Sequence, residues 1–341
     1  MIKRLLFRIC YGLGFYPTKI KSPEQTFSYL ETKPRQIIEE ELRKITYAVS
    51  LSNDRNYYTD LLKLYVPNWE EKNITSAKFI GEGYGESSLD AYRKVNISGR
   101  LFFEKVYFTT HPDLKKLRWM EEEGVFSMLN EKIRVPEIRK IYKGELLSIV
   151  YFDFLELNEK DTIQEEELVE ITKILYRLSL DNVKKIDYWK GISEPVDISF
   201  FSHHQYHKYR KAARSLLSKE DVNLIDFEKK AQASQSVLTH GDLQKTNVYD
   251  SHTVLDWDSF GIYPVGLEAA FLFFRLVFKE SKKEDPFRWL TKNYQTVFDD
   301  QVENDFSRNF TYFLFVFSCE LFADHREIWL KEKLIRKLKS Y

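Results

Sequence analysis

The spacing of apolar positions changes twice along this chain. From Pro34 to Tyr65, the residues Ile37, Ile38, Leu42, Ile45 and Leu51 recur at helical intervals, the mark of a helix with one buried face. Pro67-Asn-Trp breaks that pattern. From Ser76 the period becomes that of strands. Lys78-Phe-Ile-Gly reads as one strand, with Ala91–Val95 and Leu101–Phe108 as the next two, turned by Asn96-Ile-Ser-Gly99. Leu114–Asn130 returns to helix, with Leu117, Met120, Val125 and Leu129 on one stripe. Ile138–Tyr142 and Leu146–Phe154, joined by Lys143-Gly-Glu, read as a further strand pair. Beyond Leu155 the chain is mainly helical, over Ile163–Leu180, His207–Ser218, Asp226–Gln235, Gly266–Phe278, Asp285–Phe298 and Asn304–Leu338. Two short strands within His240–Asp258 interrupt those helices.

This order predicts an α+β chain in three parts. A helical N-terminal extension covers residues 1–75, a small antiparallel β-sheet lobe 76–155, and a larger, mainly helical lobe 156–341, with the lobe boundary near Phe154–Asn158. A length of 341 residues leaves ample core for two lobes. Lys and Arg together number 52, as do Asp and Glu, so the formal charge is zero and no nucleic-acid partner held by a global basic field is expected.

Cys10 and Cys319 stand far apart and outside any metal-ligand spacing, which suits a reducing compartment, the cytoplasm, and no disulfide framework. Arg8 interrupts the first apolar run and no small-residue cleavage site follows, so no secretory signal is expected. The longest apolar runs, Ala269–Phe278 and Phe313–Cys319, fall well short of the roughly 18 residues that cross a bilayer. Residues 1–22 set Lys3, Arg4, Arg8, Lys19 and Lys21 around Leu5, Leu6, Phe7, Ile9 and Phe15. Such a segment either makes peripheral contact with an anionic membrane surface or docks as a terminal helix.

The chemistry concentrates in Leu238-Thr-His-Gly-Asp-Leu-Gln-Lys-Thr-Asn-Val248 and Val254-Leu-Asp-Trp-Asp258. Phosphoryl transfer from a nucleotide needs a carboxylate to orient the attacking hydroxyl, and further oxygen ligands to hold Mg²⁺ on the phosphates. Asp242, in a loop after apolar Val237-Leu238, suits the first role, and Gly241 lets the backbone turn sharply there. His240 reads as a packing or hydrogen-bonding residue of the loop, with a base role as the alternative. Asn247, five residues past Asp242, suits metal ligation through its amide oxygen. Asp256, expected at the end of a strand after Val254-Leu255, suits the same metal. Asp258 would face the same side of such a strand, as a second ligand or as a cap for the following loop.

Upstream, Gly81, Gly83 and Gly85 follow a strand and offer backbone amides to phosphates. A strand rather than a helix follows them, which argues against a dinucleotide-binding unit. Lys105 lies in an apolar strand, where an ammonium must find a partner; the next helix carries Glu121, Glu122 and Glu123. Ser202-His-His-Gln-Tyr-His207 is read as a polar surface or an acceptor contact rather than a metal site, because adjacent histidines on a helix point apart.

His240-Gly-Asp242, Asn247 and Leu255-Asp256-Trp-Asp258 together resemble the aminoglycoside phosphotransferase/choline kinase family, which shares the bilobal protein-kinase-like fold. The resemblance runs from about Phe79 to Phe274. It implies Asp242 as catalytic base, Asn247 and Asp256 as Mg²⁺ ligands, and Lys105 with Glu122 as an ion pair at the nucleotide phosphates. It also implies that adenine sits against the stretch around Tyr151, Phe152 and Asp153, through backbone groups. ATP is the implied donor, with GTP left open. The hairpin between Asn247 and Asp256 is shorter than is usual in that family, and Glu268 stands where an aspartate is common.

The expected function is phosphorylation of a hydroxyl on a small molecule, a sugar or surface-glycan intermediate. Aminoglycoside or choline-type kinases are the alternatives within that chemistry. A nucleotide-binding pseudokinase with a regulatory role is the alternative outside it. Gly266 follows Asp256 by only ten positions, too few for the activation segment of a protein kinase.

Overall fold

The computed structural model describes residues 22–81, 87–156, 163–192, 196–250, 252–280, 283–295, 297, 300–323 and 327–341. Gly83, Gly85, Cys10 and nearly all of the basic N-terminal segment lie outside these residues. The fold class is α+β, as expected. The described residues form two compact units: those up to Lys115 with Pro136–Glu156, and Lys116–Val135 with the residues from Ile163 onward.

The first unit is a five-stranded antiparallel sheet backed by three helices. In chain order these are helices α1 (Pro23–Leu30), α2 (Arg35–Ser52) and α3 (Arg55–Tyr65), then strands β1 (Ile74–Gly81), β2 (Tyr92–Ile97), β3 (Arg100–Phe108), β4 (Ile138–Lys143) and β5 (Leu147–Asp153). The spatial order is β1-β2-β3-β5-β4. The helical pattern from Pro34 to Tyr65 breaks in the middle because Asn53 takes a left-handed conformation and Asp54 caps the next helix through the Tyr57 N–H. Helices and sheet share one core: Leu42, Tyr58, Leu61 and Leu62 pack with Val95, Val106, Leu147 and Ile149. Helices α1–α3 are thus the second layer of the sheet.

Strand register sets a buried polar row in this core. Arg93 pairs with Glu104 and Glu104 with Tyr151 across three strands. The Arg93 guanidinium grips the Glu104 carboxylate at 2.7 and 2.9 Å, and both side chains are almost wholly buried. Tyr151 donates to Glu104 at 3.0 Å, and its hydroxyl accepts from the Trp69 indole at 2.8 Å. Thr59 and Tyr58 on α3 complete the cover over Arg93.

The second unit holds the rest. Helix α4 (Pro112–Glu122) begins at the divide, and α5 (Val125–Leu129) follows it. The single expected helix over Leu114–Asn130 splits at Gly124, whose φ of 71° ends one helix and starts the next. Helices α6 (Glu165–Asp181), α7 (Val183–Ile192), α8 (His204–Ser218) and α9 (Leu224–Ala233) lead to strand β6 (Ser236–Thr239). The short hairpin β7 (Val248–Asp250) and β8 (Thr253–Val254) comes next, then β9 (Gly261–Pro264), which pairs with β6. Helices α10 (Leu267–Glu280), α11 (Pro286–Tyr294), α12 (Asp300–Phe317), α13 (Cys319–Ala323) and α14 (Ile328–Leu338) close the unit. The long helix expected over Asn304–Leu338 is therefore three. Its apolar core is formed where α10 packs against α6 and α12. Among the described residues no helix is long and apolar enough to cross a membrane.

Candidate active site

The β6 strand delivers the chain into the loop 240–247 and the hairpin returns it to Asp256. Both β6 and β9 are buried along their whole length, so the polar groups that follow them are placed by rigid elements. Thr239 reinforces the pair by donating its hydroxyl to the Gly261 carbonyl at 2.9 Å.

Gly241 is the first special position. Its φ is +78°, and a Cβ there would lie 2.0 Å from the Ser259 carbonyl oxygen. Both conformation and space require glycine. The tight turn aims its N–H at Glu268, whose buried carboxylate accepts it at 3.0 Å. Glu268 stands in the first turn of α10, and burial raises its pKa, opposed by His240 and by the loop amides of Gly241, Leu243 and His240. Its other oxygen, Oε1, is buried without a hydrogen bond.

His240 is occupied by backbone. Its Nδ1 accepts the Asp242 N–H at 3.2 Å, so the hydrogen sits on Nε2 and is donated to the Leu255 carbonyl at 2.8 Å. The ring lies edge-on to Trp257, 4.8 Å between centroids. One imidazole thus ties the start of the loop to the residue before Asp256.

Asp242 is half-buried. Its Oδ2 accepts from Gln244 Nε2 at 2.8 Å and from Asn247 Nδ2 at 3.3 Å, and Asn247 Nδ2 also reaches the Asp242 carbonyl at 2.9 Å. The Asn247 amide nitrogen is therefore turned toward Asp242. Its oxygen faces the other way and meets the Thr246 hydroxyl at 3.4 Å. The backbone bond from the Leu255 N–H to the Asn247 carbonyl, 2.7 Å, holds the asparagine beside the chain entering Asp256.

Asp256 and Asp258 are not on a strand. β8 ends at Val254, and Asp256 takes a left-handed conformation, φ 61° and ψ 64°, leading into a short 3-10 turn, Trp257–Ser259. The same-face argument for the two acids therefore fails, because it assumed pleated backbone. Asp256 is exposed and Asp258 intermediate, and the Asp258 carbonyl accepts from Lys116 at 3.2 Å. An amide oxygen with carboxylates is a hard donor set and fits Mg²⁺ that also binds phosphate and water. Among the described residues no group of three or more His, Cys, Asp or Glu side chains gathers as a self-contained metal centre.

The remaining expected residues are placed as follows. Gly81 ends β1. Lys105 is buried on β3, its ammonium 5.4 Å from the Tyr92 ring centre and 5.0 Å from that of Tyr107. Glu122 is exposed and lies 3.5 Å from Arg118 on its own helix. Tyr151 and Phe152 are inside the sheet, paired with β3 and β4, and the Asp153 carboxylate is shared by Arg100 and Arg139.

His203 is buried, against the expectation of a polar surface. It precedes α8 as its N-cap, Nδ1 accepting the Tyr206 N–H, so its ring lies parallel to that of His204 instead of pointing away. Burial, then the neighbouring His204, hold it well below the ordinary histidine range and keep it neutral. Sequence reasoning missed two residues that the loop uses: Gln244, and Arg275 on α10, which donates from Nη2 to Gln244 Oε1. A charge inside the apolar run Ala269–Phe278 was the available signal.

No protein-family model and no curated protein matches the chain. It is similar to several solved structures. A spectinomycin phosphotransferase in complex with ADP and spectinomycin is 14% identical, over 84% of this chain and 93% of that one, with a TM-score of 0.41. An aminoglycoside phosphotransferase from Streptomyces rimosus is 13% identical, over 77% and 98%, with a TM-score of 0.43. A choline kinase from Streptococcus pneumoniae is 14% identical, over 84% and 100%, with a TM-score of 0.37. At these identities, and with TM-scores below 0.5, the likenesses assign neither activity nor substrate, and the functional reading rests on the loop itself.

Proposed function

We propose that this chain is a phosphotransferase that moves the terminal phosphate of ATP to a hydroxyl of a small molecule, a sugar or surface-glycan intermediate. The observation that carries the reading is the restraint on Asp242. Two amide donors converge on Oδ2, which leaves Oδ1 to accept a substrate hydroxyl. The hydroxyl oxygen attacks the terminal phosphorus, the bond to the leaving diphosphate breaks, and the hydroxyl proton passes to Asp242. Asn247 Oδ1, Asp256 and Asp258 would hold Mg²⁺, which neutralises phosphate charge when bound. His240 and Glu268 fix the loop so that little reorganisation accompanies the transfer.

The test is a nucleotide-consumption screen of the full chain with Mg²⁺ across sugars, glycan precursors, aminoglycosides and choline, with Asp242→Asn as control. Transfer to one acceptor class, lost in the variant, supports the reading. Transfer that survives in the variant, or none with any acceptor, overturns it.

A further inference from the structure

Helix α10 is apolar from Leu267 to Phe278 except at two places, Glu268 and Arg275. They are seven residues apart, two turns or about 10 Å along one face. Glu268 meets the loop at Gly241, and Arg275 meets it at Gln244. The apolar helix thus sends one acidic and one basic side chain to two points of the same short loop.

Arg275 is poorly provided for as a structural residue. It is half-buried, its Nε is enclosed without a hydrogen bond, and its guanidinium lies 5.7 Å over the Phe271 ring. Enclosing a cation with so few partners opposes folding. A leucine would cover the same helix face without that cost.

The orientation of Gln244 follows from Arg275. A guanidinium has only donors, so it must face the carboxamide oxygen. The Gln244 Nε2 hydrogens are then turned toward Asp242 Oδ2, 2.8 Å away. Without Arg275 the carboxamide loses the donor on its oxygen, and its grip on Asp242 Oδ2 loosens. Burial works against the charged guanidinium of Arg275, and the nearby Asp242 carboxylate favours it.

We propose, resting on the kinase reading above, that Arg275 is a positioning residue that locks the Gln244 carboxamide and through it the orientation of the Asp242 carboxylate. Arg275 itself touches no substrate. Its contribution is to keep one carboxylate oxygen engaged and the other presented.

The test has two arms on the full-length protein. The first follows the Gln244 side-chain amide by ¹⁵N NMR. In the wild type its two protons should be well separated in shift and slow to exchange; in Arg275→Met they should move together and exchange quickly. The second measures transfer. Arg275→Met should lower kcat about tenfold or more with the nucleotide KM unchanged, since misplacing a reacting group costs rate, not binding. Arg275→Lys should recover part of it. An unaltered Gln244 amide in Arg275→Met, or an unaltered kcat, overturns the proposal. Transfer that persists in Asp242→Asn overturns the kinase reading instead, and the NMR arm then decides the Arg275 link alone.

Discussion

The buried carboxylate of Glu268 accepts the backbone N–H of Gly241 at 3.0 Å, one residue before Asp242. A side chain from the centre of the helical core therefore sets the backbone of the loop. Replacing it with alanine orphans that N–H, and stability should fall by about 1–3 kcal/mol. Glu268→Gln keeps an accepting oxygen and should cost less. Chemical unfolding of both variants checks the order.

Glu268 also predicts a pH dependence. Burial raises its pKa above the ordinary 4.5, so the folded state holds the proton more tightly than the unfolded chain. Its contribution to stability is complete below 4.5 and declines as pH rises through the folded value. Glu268→Gln should remove that decline. Identical pH slopes in the two proteins would show that Glu268 is not the titrating group.

Asp256 carries a second prediction because its left-handed backbone is tolerated by few residue types. Asp256→Gly keeps that conformation without a Cβ, so stability should hold within about 1 kcal/mol while Mg-nucleotide affinity drops. Asp256→Ala should lose both. Calorimetric titration with Mg-ATP, run beside thermal unfolding, separates the effects; undiminished affinity in Asp256→Gly would remove it from the metal site.

His240→Ala should act on the loop and not on the proton balance. It leaves the Asp242 N–H and the Leu255 carbonyl without partners, about 1–3 kcal/mol each. The rate should fall while the midpoint of the pH–rate profile stays. A shifted midpoint would instead make His240 the titrating base.

The Arg93–Glu104 pair is enclosed on all sides, so removing one partner strands a charge. Arg93→Met should cost about 3–5 kcal/mol, and Arg93→Met with Glu104→Leu should recover most of it. A double-mutant cycle by urea unfolding measures the coupling.

The order of helices, then strands, then helices, and the polar cluster of His240–Asp258, were legible in the sequence because local periodicity and fixed spacing encode them; that the helices before residue 75 belong with the sheet was not. Helix breaks at Asn53 and Gly124 were not, since the apolar stripe continues through both and only the backbone angle reverses. The Arg93–Glu104–Tyr151 row was hidden because strand register, not sequence distance, joins its members. The strand expected to carry Asp256 ended early for a related reason: the hairpin's pairing runs only to Val254, and the left-handed turn begins two residues later. Gln244 and Arg275 lie 31 positions apart, and only the packing of α10 brings them together.

The layering of α1–α3 on the sheet has a practical outcome for anyone preparing shortened versions of this chain. A fragment started near residue 74 would strip the cover from Val95, Val106, Leu147 and Ile149 and leave that greasy surface wet. Such a fragment should clump on expression, whereas a version that starts at Ser22 keeps all three covering helices.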